Sequence, residues 1–165
     1  MPAQALAEAA GLNVEWRRPS PRLLVMRRAE VAAVTAVVAA GGGVVGADSS
    51  TWAGVATAGV IVALSLPAEL FVRRRVRAWG YAEREDDLLV KRGVLFSRFS
   101  VVPYGRMQFI DVTAGPIERS FRLATVRMHT AAAASDARIP GLSQEEAARL
   151  RDRLAELGEA QAAGV

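Results

Sequence analysis

The residues of this chain that could do chemistry are few, and arginine dominates them. Arg106, Gln108 and Asp111 lie within six positions of one another, and Arg119 and Arg122 follow in the next segment. Guanidinium groups recognise phosphate or carboxylate through paired N–H donors, so these five polar side chains, brought to one sheet edge, form a candidate binding site for an anionic headgroup. The alternative is that Asp111 pairs with an arginine and the others are solvated, the common fate of surface charge. His129 is the sole histidine and there is no cysteine. Disulfides, thiolate nucleophiles and Cys/His zinc sites are thereby excluded or nearly so. His129 would need an orienting carboxylate and a nucleophile, and no spacing marks either; Asp86-Asp87 reads as an ordinary turn. No catalytic residue, metal ligand or cofactor is assigned, and the chain is read as no enzyme.

The elements that must position these groups follow from charge and hydropathy. At 165 residues with 52% hydrophobic and 23% charged content, apolar and ionic residues must be segregated along the chain. Residues 31–47 and 49–68 carry no charge, and Asp48 alone separates them. As helices they extend roughly 25–30 Å at about 1.5 Å per residue, close to the hydrocarbon thickness of a bilayer. The short connection at Asp48–Thr51 forces an antiparallel hairpin. A buried hairpin in a soluble protein is the competing reading, supported by the Ala and Gly content. Against it, residues 31–47 offer only Thr35 for a polar stripe. Ala36/Ala40, Ala39/Gly43, Gly42/Gly46 and Gly54/Ala58 have the small-xxx-small spacing that lets helices approach closely, here expected within the hairpin rather than between copies.

Basic residues bracket the hairpin. Arg17, Arg18, Arg22, Arg27 and Arg28 precede it; Arg73, Arg74, Arg75 and Arg77 follow it; none lies between. The positive-inside bias then predicts a two-pass plasma-membrane protein with both termini cytoplasmic. Arg17, Arg18, Arg27, Arg28 and the 73–77 run are expected at the membrane interface, with Trp52 near the tip and Trp79 beyond the arginine run as aromatic anchors. Trp79 also reads as a core residue of the next domain. Glu69 is expected to pair with Arg73 four positions later, and Pro67 removes one helical hydrogen bond.

From residue 78 the pattern changes to short strands. AWGYAERE and LLVKRGVL flank a polar turn, FSRFSVVP and MQFIDVTAG end at Pro/Gly signals, and LATVRMHTA alternates Val126, Met128 and Thr130 against Thr125, Arg127 and His129. PIERSFRL reads as a helical turn or crossing loop. LSQEEAARLRDRLAEL opens with a capping box, Ser143 to Glu146, and carries Ala147, Leu150, Leu154 and Leu157 as one stripe that must lie on the sheet. The expected organisation is an N-terminal cytoplasmic segment (1–28), a transmembrane hairpin (29–72), a basic juxtamembrane segment (73–77), the strand-rich domain (78–158) and a disordered tail (159–165). The fold class is α+β.

A two-helix hairpin, an antiparallel meander and a closing amphipathic helix, carried by WRRPSPRLL, KRGVLFSRFSVVPYGRMQFIDV, GPIERSFRLATVRMHTA and ARIPGLSQEEAARLRDRL, resemble small bacterial membrane proteins with a pleckstrin-homology-like domain, the YdbS-like group. One departure is Arg122, where that group usually has Gly before Leu-Ala-Thr-Val. The resemblance implies a PH-like domain without catalysis, partnered by another PH-like-domain membrane protein.

Two functional readings stand. In the first, the hairpin tethers an interaction domain whose edge strands bind a membrane protein or peptide, by strand addition among other modes. In the second, the arginines clasp an anionic lipid headgroup. The lipid bilayer is a partner in both. Nucleic acid is not, because only 6% of residues are aromatic and stacking platforms are lacking.

Overall fold

The computed structural model describes residues 14–48, 50–130 and 136–164; the Ala-rich start and Ser49 of the expected tip lie outside them. The chain divides into two compact units, Leu24–Val76 on the one hand and Met1–Leu23 with Arg77–Val165 on the other.

The first unit is built from helices α1 (Pro21–Ala47) and α2 (Thr51–Arg77), both long and apolar enough to cross a membrane. Ser50 starts α2: its hydroxyl accepts from the Ala53 amide at 3.2 Å, satisfying a donor that has no partner within the helix. The seam uses the expected small residues. A Cβ on Gly54 would lie 2.6 Å from the Gly43 carbonyl oxygen, and one on Gly42 would lie 2.7 Å from Ile61 Cδ1. Ala36 and Ala40 point away from this seam and are exposed. So are the large apolar side chains Val37, Val45 and Leu64, each at least 70% exposed, which excludes a hairpin buried within the chain's own fold. Pro67 is accommodated inside α2. Glu69 does not pair with Arg73: its carboxylate takes the Arg28 guanidinium of α1 at 3.0 Å. An ion pair across the hairpin closes its base, where the expected pair would have stayed on one helix.

The second unit holds two antiparallel three-stranded sheets. One is β1 (Gly80–Glu83), β2 (Asp87–Arg92) and β3 (Arg98–Pro103); the other is β4 (Met107–Thr113), β5 (Leu123–Thr130) and β6 (Ala137–Ser143). A 3-10 turn, Tyr104–Arg106, passes the chain from the first sheet to the second, and Tyr104 is fully buried with its hydroxyl donating to the Arg84 carbonyl at 2.9 Å. Burial pushes the Tyr104 phenol up to about 12. The short helix α3 (Pro116–Ser120) bridges β4 and β5, and its Glu118 accepts from the Gly115 amide and from Thr125 Oγ1. That bond explains why Thr125 is buried although it lies on the face of β5 opposite Val126. Of the pair expected in a turn, Asp86 lies in the turn before β2 and Asp87 is the first residue of that strand; the Arg84 amide donates to the Asp87 carbonyl and the Tyr104 amide to that of Asp86.

Helix α4 (Gln144–Ala162) lays Ala147, Leu150 and Leu154, all fully buried, against Leu88, Val90, Val102, Val126, Met128 and Ile139. Fully burying one such Leu contributes about 1.5–3 kcal/mol, so the stripe binds helix to sheets strongly. Only half of the expected capping box forms. Ser143 Oγ accepts from the Glu146 amide at 3.2 Å, whereas the Glu146 carboxylate turns to other partners. The helix also runs past residue 158 into the segment expected to be disordered: Gln161 accepts from the Gly105 amide at 2.9 Å and donates to Asp86. Ala137–Ser143 forms the edge strand β6, paired with β5.

The residues before α1 join this unit. Arg17 exchanges backbone hydrogen bonds with Tyr81 at 2.8 and 2.9 Å, Ser20 donates to the Gly141 carbonyl, and Trp16 meets Phe99 edge to face. Lys91 lies 5.7 Å over the Trp16 ring; burial, and secondarily Arg18, lowers its pKa. Between the N-terminal segment and α4 sits an ionic network. The Glu146 carboxylate takes Arg149 at 2.8 Å, the Tyr81 hydroxyl at 2.8 Å and Arg17 at 3.5 Å, and Arg149 also reaches Glu83 at 3.0 Å. The Arg149 hydrogen bond chiefly, helped by Tyr81, holds Glu146 at about 2, well below its ordinary 4.5. A carboxyl depressed on folding stabilises the native state above its unfolded pKa and ceases to as pH falls through the folded one. Melts of the full chain in micelles should therefore lose about 1–2 kcal/mol, after solvent screening, between pH 4.5 and about 2. Glu146→Gln should flatten that part of the pH profile; an unchanged profile would show that the network contributes nothing.

Candidate functional site

Strand β4 is the least covered strand among the described residues. It pairs on one side with β5, in the register Asp111↔Arg127 and Thr113↔Thr125, and among the described residues no strand pairs with its other side. Five of its seven residues are exposed, including Phe109 and Val112. Alternation explains part of this: Ile110 and Met107 turn toward the core while Phe109 and Asp111 turn outward. The register with β5 shifts between Met107 and Phe109 in the same strand.

Between this strand and α4 runs a groove of about 400 Å³, lined by Met107, Gln108, Phe109 and Ile110 on the strand side and by Arg151, Leu154, Ala155, Gly158 and Glu159 on the helix side. Its floor is apolar, and its rim carries an amide, a cation and a carboxylate. Gly158 and Ala155 keep the helix wall low. An extended segment entering here meets main-chain donors and acceptors along β4 and an apolar trough for alternate side chains, the two requirements of strand addition.

The polar residues singled out from sequence do not form one cluster. Gln108 lines the groove. Arg106 precedes β4, whereas Arg119 and Arg122 follow it, so the length of the strand separates them, on the order of 20 Å at about 3.3 Å per residue. Arg119 is engaged locally, its Nε donating to the Ala114 carbonyl at 2.9 Å. Among the described residues Asp111 pairs with no arginine side chain; its carboxylate lies 3.9 Å from His129 Nε2. The His129 ring stacks on Phe109, with centroids 4.4 Å apart, and its Nδ1 lies 3.2 Å from Asp136. Both ring nitrogens thus face carboxylates, which positions the imidazole.

The expected interfacial residues divide between the two units. Arg28 holds Glu69, Arg27 holds Glu30 at 2.7 Å, and Arg73, Arg74, Arg75 and Arg77 are exposed at the end of α2. Trp52 is 84% exposed at the start of α2. Arg18 is exposed, but Arg17 is drawn into the sheet unit by its bridge to Tyr81, and Trp79 packs against that unit's core. Sequence reasoning missed the groove and the role of Trp16. Nothing local marks a groove, because its two walls are some 45 residues apart in the chain.

Residues 23–158 match the bacterial PH domain. The chain belongs to the bacterial PH domain family. This bacterial PH domain protein is also 34% identical over 101 residues to the UPF0699 transmembrane protein YdbS of Bacillus subtilis (strain 168). That alignment covers 60% of this chain and 62% of the relative, so the matched part is less than two thirds of the relative's length. No solved structure matches. With α1 and α2 each able to span, the findings make this a YdbS-like, two-pass membrane protein carrying a PH-like domain.

Within the bacterial PH domain, Arg122 has a backbone conformation that favours glycine. Its φ is +55°, the left-handed region, and its side chain is exposed, so nothing evident offsets the strain. Arg122→Gly should stabilise the domain by about 1 kcal/mol, read as a raised melting temperature. A lower one would mean that the arginine makes a stabilising contact.

Proposed function

We propose that this protein is a non-catalytic membrane-tethered adaptor whose PH-like domain lies at the cytoplasmic face and binds an extended segment of another PH-like-domain membrane protein along β4. The observation that carries the reading is the free β4 edge beside an apolar groove. An edge of this kind is a liability unless it is covered, and a partner strand covers it with main-chain hydrogen bonds. The cytoplasmic placement rests on the arginine clusters at both ends of the hairpin. Clasping of one headgroup by Arg106 and Arg119 together draws no support from the geometry, since β4 lies between them.

The test is purification of the full chain from its native membrane in mild detergent, with identification of stoichiometric companions. Ala155→Trp fills the groove from its exposed helix wall and should remove the companion by at least tenfold, while Glu156→Trp, on the same helix but outside the groove, should retain it. Equal retention by both variants would refute strand addition at this site.

A further inference from the structure

The hairpin joining β2 to β3 carries the two most exposed large apolar side chains of its unit among the described residues, Leu95 at 82% and Phe96 at 84%. They are adjacent at the tip of a five-residue connection, Gly93–Ser97. The tip is held in shape: Gly93 has φ +108°, and a Cβ there would collide with the Phe96 carbonyl oxygen. Just behind it, Arg92 and Arg98 stand directly opposite each other in the ladder, and neither has a carboxylate partner among the described residues. Like charges in directly opposed positions destabilise a strand pair. From Leu88 to Ile110 the chain contains four cations and no carboxylate. A hairpin with an apolar point and an unneutralised basic collar lacks two things, an apolar medium and fixed anions, and both occur together at the surface of an anionic bilayer. Only Ala78 and Trp79 separate the second spanning helix from β1, so the unit is tethered close to such a surface.

We infer that the β2–β3 hairpin is a membrane-insertion element: Leu95 and Phe96 enter the boundary between headgroups and acyl chains, and Arg92 and Arg98 engage the phosphates of anionic lipids. This contact is separate from the β4 groove and does not depend on it. Docking orients the domain on the bilayer, leaving its remaining faces for a partner.

The chain lacks cysteine, so one introduced thiol reports from one place. Phe96→Cys in the full-length protein, nitroxide-labelled and placed in nanodiscs containing phosphatidylglycerol, should be accessible to oxygen and shielded from an aqueous nickel chelate. The same label at Asp86, in the exposed turn before β2, should be open to the chelate. Each basic residue near an anionic surface shifts the equilibrium about fivefold, so Arg92→Gln with Arg98→Gln should lower the ratio of docked to undocked label roughly thirtyfold. Phosphatidylcholine alone should act in the same direction. Equal chelate access at 96 and 86 in anionic nanodiscs would overturn the assignment. Shielding from both oxygen and chelate would also overturn it, in favour of a protein contact, and equal insertion without anionic lipid would refute the role of the arginines.

Discussion

Replacing Gly141 with valine should cost the PH-like domain about 3–4 kcal/mol, a large fraction of the stability of a marginally stable domain. Two effects add. Gly141 has φ +73°, where a β-branched residue loses on the order of 1–2 kcal/mol. A Cβ there would also lie 2.5 Å from Leu23 Cδ2 and 2.7 Å from Leu23 Cβ and Cγ, and Leu23 is itself buried. Overpacking of that kind costs typically about 1–3 kcal/mol. The damage falls where the N-terminal segment joins β6, because the Ser20 amide donates to the Gly141 carbonyl at 2.8 Å. The measurements are a thermal melt of the full chain in micelles and limited proteolysis, with new cleavage expected between Arg17 and Arg22. A variant that melted normally and resisted protease would show that the seam is dispensable.

Gly54→Leu should separate the two spanning helices by about 2 kcal/mol or more, since the added side chain meets the Gly43 carbonyl oxygen and Ala47 of the facing helix with no room to yield. Gly59→Leu is the control. Nothing lies within 4 Å of a Cβ at that position on the same helix, so leucine there should be neutral or slightly favourable through helix propensity. Energy transfer between labels on cysteines introduced at the exposed positions Val37 and Val62, followed through a titration with sodium dodecyl sulfate, reads the difference directly. Equal effects of the two substitutions would mean that the glycine seam does not hold the hairpin together.

The amino-acid sequence by itself determined the elements. Seventeen and twenty uncharged residues on either side of Asp48 leave no alternative to two long apolar helices, and alternation in Leu123–Thr130 and the stripe Ala147, Leu150, Leu154 specify a strand, though one buried on both faces rather than half-buried, and a helix that must cover a sheet. These are local signals, because each depends on residues within one or two turns or strand repeats of one another. The small-residue spacing within the hairpin was legible for the same reason.

What only the tertiary structure decided are the pairings between distant positions. Glu69 finds Arg28 across the hairpin rather than Arg73 on its own helix, Glu146 leaves its capping role for Tyr81 and Arg149, and Trp16 and Arg17 leave the basic N-terminal segment to join the sheets. The arginines that looked like one cluster are held apart by β4, while the groove is assembled from two stretches that share no sequence pattern. Side-chain period tells which face of an element is buried, but not which edge is left unpaired or which opposite charge lies nearest. Those depend on register and packing, and register is fixed only when the whole core closes.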